Sequence, residues 1–508
     1  MPLHFLGPDG PLPAPMERTA ADDPLLWLLM DVVDDCDLSI FEGSYRADGS
    51  GGRPYDPRLL LVSMLWCYQN QIRSPSAIAG ACRTHIALRV LWGGARTPSR
   101  STIERFLHRH HDGWAQFNID VLKLCDRAGL LDVSTTATDS TPVAAPAART
   151  ANQSRARIRL KISETEHALD QIIARVAAQG AAAEAGQTGT FIDESCGDLL
   201  RQEQQLRRRL TRLRAAETSA DQNDPDRSRS PPRQALLDRI EHHRQGLHTM
   251  TTAQQQACDI YQAKAATGRK PRGPAPRLPA DHPNIRRKQA TLDKAIAKLA
   301  TLTEQQPPTK PTRANLTVPA SRILKGKNMT RWVQGDLLTI TTGSNQIILA
   351  AQLPDTGNDH RTLHPHLAVV ADNCRRAGIT TPMTRHLADA GYASEAVFTT
   401  PTPTGGTLYI AVTNEYDQTS ANPPTPDDSN TPGRREMTER LATTEGKAVY
   451  RRRTPMIEPV FAHLLRNDRR LHTRGPTRHT EVIVLAAAHN TKKYIRAKQP
   501  SRVMTKAH

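Results

Sequence analysis

The sequence predicts a mixed α/β protein with three parts: an N-terminal all-helical domain, a core of strands and helices forming a mixed sheet, and a large coiled-coil-like helical insertion within that core. Three observations predict it. Residues 21–127 carry repeated helix-start signals, Thr/Val-rich runs flank a long charged region, and that region, 151–315, spaces its apolar residues at helical intervals.

Taken in order, residues 1–20 are a Pro-rich lead-in expected to be flexible. Within 21–127, "DPLLWLLMDVVDD", "DPRLLLVSMLWCYQ", "SPSAIAGACRTHIALRVLW" and "SRSTIERFLHRHHDGW" each begin at Asp or Ser, the residues that cap orphan amides at helix starts. Leu60, Met64, Cys67 and Tyr68 repeat at three- and four-residue intervals, which predicts one buried face. A basic last helix fits a helix-turn-helix-like DNA reader, and equally any small bundle. His108, His110 and His111 lack a Cys or carboxylate at ligand spacing and read as an exposed basic helix end.

The core, 128–150 with 316–495, opens on the strand "VSTTATDSTPVAA". A hairpin follows around Gly343 and Ser344, then a helix spaced by Leu363, Leu367, Val370 and Cys374 and closed by Gly378, then two further strands. In the insertion, Ile158, Ile162, Leu169, Ile172 and Val176 form one stripe, Leu199, Leu206, Leu210 and Leu213 a second, and Ala290 to Leu299 a third. The polar linker 218–233 and the basic, Pro-rich linker 267–279 separate them. Residues 496–508 form a basic tail.

With 68 Lys+Arg against 51 Asp+Glu, the net charge of +17 favours a polyanionic partner such as nucleic acid. No stretch reaches the roughly 20 apolar residues of a membrane span, and the N-terminus lacks the pattern of a secretory signal. The seven scattered cysteines contain no C-x-x-C pair, which argues for reduced thiols and against a structural zinc. A cytoplasmic, nucleoid-associated protein with no membrane partner is the expectation.

Asp139 ends the first strand, Asp389 follows the strand after the helix, and Glu458 sits at the margin of the stripe Ile457, Val460, Phe461 and Leu464. Singly they read as a turn former, a cap and a surface acid. If the two strand ends lie side by side under that helix, the three acids meet. Clustered carboxylates repel unless a cation neutralises them, and their oxygens suit Mg²⁺. Two such ions about 3.5–4 Å apart serve phosphodiester cleavage.

The segments "DSTPVAAPA", "NLTVPASRILK", "NDHRTLHPHL", "ADAGYAS" and "GKAVYRRRTPMIEPVFAHL", with "YDPRLLLVSMLWCYQNQIRSPSAI" upstream, resemble the bacterial insertion-sequence transposases of the DDE type. The resemblance implies an RNase H-like catalytic core, with Asp139, Asp389 and Glu458 binding two Mg²⁺ ions for which Mn²⁺ substitutes. Tyr450 and Arg453, placed upstream on the Glu458 helix, are implied to contact DNA phosphate. It further implies binding of double-stranded DNA at transposon ends and target, strand cleavage and transfer, and a homodimer or higher assembly on DNA. Ser140 and Pro142 replace residues usual after the first Asp, and Leu465 replaces a usual Lys. These departures favour the alternative, a former transposase acting only as a sequence-specific DNA-binding protein. Arg451 and Arg452 read as solvated charges, Trp332 as a core aromatic, and His463 and His489 as satisfied structural histidines.

Overall fold

The computed structural model describes residues 24–45, 53–93, 96–184, 194–222, 232–266, 274–304, 312–325, 332–354, 362–412 and 431–498. The expected lead-in, most of the basic tail, 223–231 of the first linker and 267–273 of the second lie outside the described residues. The chain divides into two compact units, residues 1–151 with 320–508, and residues 152–319.

The first unit opens with α1 (Pro24–Asp34), α2 (Ser39–Glu42), α3 (Pro57–Gln69), α4 (Pro75–Thr84), α5 (Ile86–Trp92), α6 (Arg100–Arg109) and α7 (His111–Arg127). The cap signals operate as expected: Asp56 accepts from the Arg58 amide, Ser74 from Ala77 and Ser99 from Thr102. The one-faced prediction for α3 is corrected. Every residue from Leu59 to Gln69 is buried, because neighbours enclose this helix on all sides. His110 is likewise buried rather than exposed, seated against the rings of Phe41, Tyr45 and Phe106. Burial holds its imidazole neutral, with a pKa lowered to about 4.

β1 (Thr135–Ala144) follows. The second unit begins with β2 (Asn152–Ser154) and contains α8 (Arg155–Glu184), α9 (Glu194–Gln222), α10 (Pro232–Ala266), α11 (Pro283–Glu304) and β3 (Arg313–Asn315). β2 and β3 pair antiparallel, Asn152 opposite Asn315, and so bring the two ends of the unit together. Ile158, Ile162 and Leu169 of α8 pack with Leu210, Leu213 and Ala216 of α9, as their spacing predicts. The long α10 adds a helix beyond the three predicted stretches. Its few apolar residues, Leu236 and Ile240 packed with Leu292, are too sparse among Gln, His and Thr for a periodicity to register.

The first unit resumes with β4 (Arg322–Lys325), β5 (Trp332–Thr342), β6 (Ile348–Gln352), α12 (Leu363–Arg376), β7 (Arg385–Ala388), α13 (Glu395–Thr399), β8 (Thr407–Ile410), α14 (Pro432–Ala442), α15 (Thr444–Arg451), α16 (Arg453–Leu464) and α17 (Thr477–Lys498). Among the described residues the sheet has six strands in the order β4-β5-β1-β7-β8, with β6 also paired to β5. β1 runs antiparallel to β5 and parallel to β7, and β7 runs parallel to β8, so the sheet is mixed and the fold α/β. The predicted hairpin is β5–β6, and Gly378 takes the positive φ of 74° that ends α12. Gly335 is obligatory for a different reason: a Cβ there would stand 2.0 Å from the Val143 carbonyl oxygen of β1.

Strand alternation assigns the two faces. Ala137, Leu338, Ile340, Leu387 and Tyr409 pack beneath Val449 of α15 and Ile457, Val460 and Phe461 of α16. Ala388, Leu408 and Ile410 point the other way, toward Leu363 and Leu367 of α12 and the fully buried Tyr392. The N-terminal helices share one apolar core with α17, Leu349 of β6 and Val370 of α12. Trp332, read as a core aromatic, is instead 49% exposed at the start of β5.

Candidate active site

Residues Asp139 and Asp389 are brought together by sheet register. Thr138 of β1 is the parallel partner of Ala388 of β7, so the next residue on each strand is an aspartate, and adjacent strands lie about 4.8 Å apart. Alternation then sets direction: Ala137 and Leu387 pack under α16, and the residues two further on face the same side. Asp389 keeps an extended backbone, and its Oδ1 accepts from the Gly391 amide at 2.9 Å. It therefore caps the turn as well as standing beside Asp139. The Asp139 Oδ1 accepts the Ser140 amide at 2.7 Å.

The helix bearing Glu458 lies across this end of the sheet. Thr342 Oγ1 donates to the Met456 carbonyl at 3.1 Å, and Gln346 Nε2 to the Pro455 carbonyl at 3.1 Å. The second bond has a specific cause. Pro459 lacks the amide that would satisfy the Pro455 carbonyl within the helix, and the Gln346 side chain supplies the donor instead.

One prediction about this segment is corrected. Tyr450 and Glu458 do not share a helix: Tyr450 belongs to α15, which ends at Arg451, and α16 starts at Arg453. The Pro455 ring has no N–H for the Arg451 carbonyl and crowds it, so a continuous helix is interrupted there.

Arg453 is the centre of the site. Only 7% exposed, it sets Nη1 at 3.4 Å from Asp139 Oδ2 and Nη2 at 3.7 Å from Glu458 Oε1. Burial opposes its charge, but Tyr450, Asp139, Asp389 and Glu458 together outweigh that, and its pKa is raised. The guanidinium also lies 6.0 Å from the Tyr450 ring, whose hydroxyl donates to the Ala388 carbonyl at 3.3 Å. Arg451 is exposed, as expected of a solvated charge, whereas Arg452, though exposed, donates from Nη1 to Thr135 Oγ1 at 3.4 Å.

Behind the aspartates, on the other sheet face, the Ser140 hydroxyl meets Thr339 Oγ1 at 3.0 Å and the Tyr392 hydroxyl. This link between the two aspartate segments joins residues 252 apart, and no local pattern announces it. His489 is buried, and its Nε2 donates to the Gln346 carbonyl at 2.9 Å. Its Nδ1 and that of His463 have no hydrogen-bond partner, so neither is the fully satisfied histidine expected.

Asp139, Asp389 and Glu458 offer only carboxylate oxygens, the donors that hard divalent cations take. Among the described residues no three His, Cys, Asp or Glu side chains are gathered so as to hold a metal ion as they stand. The Arg453 guanidinium stands between two of the acids, Asp139 and Glu458. No helix of the described residues is long and apolar enough to cross a membrane.

Comparison with known families gives two matches. Residues 16–109 match the "Transposase domain (DUF772)" family, and residues 426–495 match the "Transposase DDE domain" family. The second span includes Tyr450, Arg453 and Glu458, whereas Asp139 and Asp389 lie outside it. No curated protein and no solved structure matches the chain. Two transposase families matching in this order along one chain support its place among the insertion-sequence transposases of the DDE type.

Proposed function

We propose that this protein is a DNA transposase that binds the terminal inverted repeats of its element, cleaves the strand ends and joins them to target DNA. Asp139, Asp389 and Glu458 are its catalytic acids, on a core of RNase H-like type. The observation that carries this reading is the pairing of Thr138 with Ala388, which aligns two aspartates at the ends of parallel neighbours beneath the Glu458 helix. Residues 21–127 would read the DNA, and 151–315 form an insertion in the catalytic domain. Transposition joins two DNA ends, so at least two copies act together on DNA.

The acids would hold two Mg²⁺ ions, or Mn²⁺ in their place, which when bound polarise the scissile phosphate and lower the pKa of water. What the chain supplies is placement. The sheet holds Asp139 and Asp389 on one face, and the Gly391 amide orients the Asp389 carboxylate. The Thr342 and Gln346 bonds hold α16, and with it Glu458, across the strand ends. Positioning of this kind accounts for a large part of phosphoryl-transfer catalysis.

The test is Mg²⁺-dependent cleavage of DNA carrying the element's own ends, comparing wild type with Asp389→Asn. Boundary cleavage by the wild type alone is expected. The substitutions at Ser140, Pro142 and Leu465 favour the second reading, a DNA-binding former transposase. Specific binding by both proteins with cutting by neither would establish it.

A further inference from the structure

We propose that Arg453 is the internal counter-ion of the acidic cluster in the metal-free protein, and that a divalent cation must displace its guanidinium to bind. The inference rests on the assignment of Asp139, Asp389 and Glu458 as the metal-binding acids. It concerns a property which that assignment does not contain: the competition between a side chain of the protein and the metal for the same carboxylates.

The geometry carries it. The guanidinium directs one terminal nitrogen to Asp139 and the other to Glu458, and it is drawn electrostatically to Asp389. One positive charge thus bridges two acids and lies in the field of a third. The group is buried, roofed by the Tyr450 ring, and Tyr450 is tethered by its hydroxyl to the residue preceding Asp389. An arginine waiting for a phosphate would be exposed, as Arg451 is beside it. An arginine with a purely architectural task would resemble Arg478, whose partner Asp336 is equally buried. Glu458 fits neither pattern, with 55% of its side chain open to water, so that pair can separate at little solvation cost.

Two functional consequences follow. A divalent cation entering among the acids repels the guanidinium while competing for the same oxygens, so Arg453 lowers the metal affinity of the site. Displaced, the guanidinium becomes available to a DNA phosphate, which orders events: metal first, then the phosphate contact. In either state a positive charge, guanidinium or metal, faces the carboxylates and lowers their mutual repulsion.

The experiment is Mn²⁺ titration of the full-length chain without DNA, followed by spin resonance and by thermal melting, for wild type, Arg453→Gln, Arg453→Lys and Asp389→Asn. Arg453→Gln is expected to bind Mn²⁺ at least about tenfold more tightly than wild type. Arg453→Lys, which keeps the charge without the fork, should fall between them, and Asp389→Asn should bind more weakly than wild type. Metal-free Arg453→Gln should melt below wild type and gain more from Mn²⁺. If it is unfolded without metal, recovery of its fold on Mn²⁺ addition supports the counter-ion role, and failure to recover at saturating Mn²⁺ overturns it. Equal or weaker Mn²⁺ binding by Arg453→Gln also overturns it while leaving the metal-binding acids in place. Absence of Mn²⁺ binding by both wild type and Arg453→Gln overturns that assignment itself.

Discussion

The α8–α9 hairpin and the sheet end around Arg453 are both built from arginines and acids, yet they use them in opposite ways. Along the hairpin acids and cations pair one to one: Arg155 with Asp221, Arg159 with Glu217 and Arg214 with Glu166, all at partly open positions on the helix surfaces. At the sheet end, one buried cation, Arg453, faces both Asp139 and Glu458, and Asp389 adds to the negative charge acting on it. Balanced, solvated pairs contribute little energy and leave no demand for a ligand. An excess of carboxylates in one place leaves a standing demand for positive charge, and that imbalance separates a candidate active site from an ordinary charged surface.

Four outcomes would break or sharpen this contrast. The largest is chemical: Asp139→Asn should lower the rate of end cleavage by about a thousandfold or more, with the helical content unchanged by circular dichroism. A variant that retains cleavage within tenfold would remove Asp139 from the site. Next is Arg478→Met, which strands Asp336 without its buried partner and should cost about 3–5 kcal/mol in urea unfolding of the unit formed by 1–151 and 320–508. A loss below 1 kcal/mol would place that pair with the solvated ones.

A third outcome concerns pH. His386 is buried against Thr136, and burial followed by His364 lowers its pKa to about 4, below the value near 6.5 of an unfolded histidine. Between these values the unfolded chain binds the proton and the folded one does not. Stability is therefore fully present above about pH 6.5 and declines as pH falls toward 4. His386→Gln should remove on the order of 1–2 kcal/mol of the loss seen between pH 7 and pH 5, and an unchanged pH profile would contradict the assignment. The smallest effect is at the hairpin, where Glu166→Gln should change stability by less than about 1 kcal/mol. A larger loss would mean that the hairpin's pairs act as a network.

Much of the site was legible because its signals are local. A strand ending in Asp139, a helix-to-strand passage ending in Asp389 and the apolar stripe beside Glu458 are properties of windows of ten or so residues. Their parallel pairing follows from the elements between: β6 and β1 both run antiparallel to β5, and the α12 crossover returns β7 in the direction of β6. The long, Gln-rich α10 escaped because propensity and tertiary support, rather than a dense apolar stripe, sustain it. His110 and Trp332 were misjudged for a related reason: a single residue's burial depends on which distant elements cover it.

Local spacing by itself determined the element types, the in-order placement of the acids and the basic balance, because backbone sterics, capping and apolar periodicity act within one or two turns of chain. Only the tertiary structure decided that Thr138 meets Ala388, that Gly335 must admit the Val143 carbonyl, and that Ser140 reaches Tyr392. It also decided that Arg453 turns inward. A guanidinium enters a poorly hydrated site only where opposite charges compensate its burial, and those charges come from segments more than 300 residues away in Asp139 and five residues away in Glu458. No pattern confined to one stretch of chain encodes that meeting.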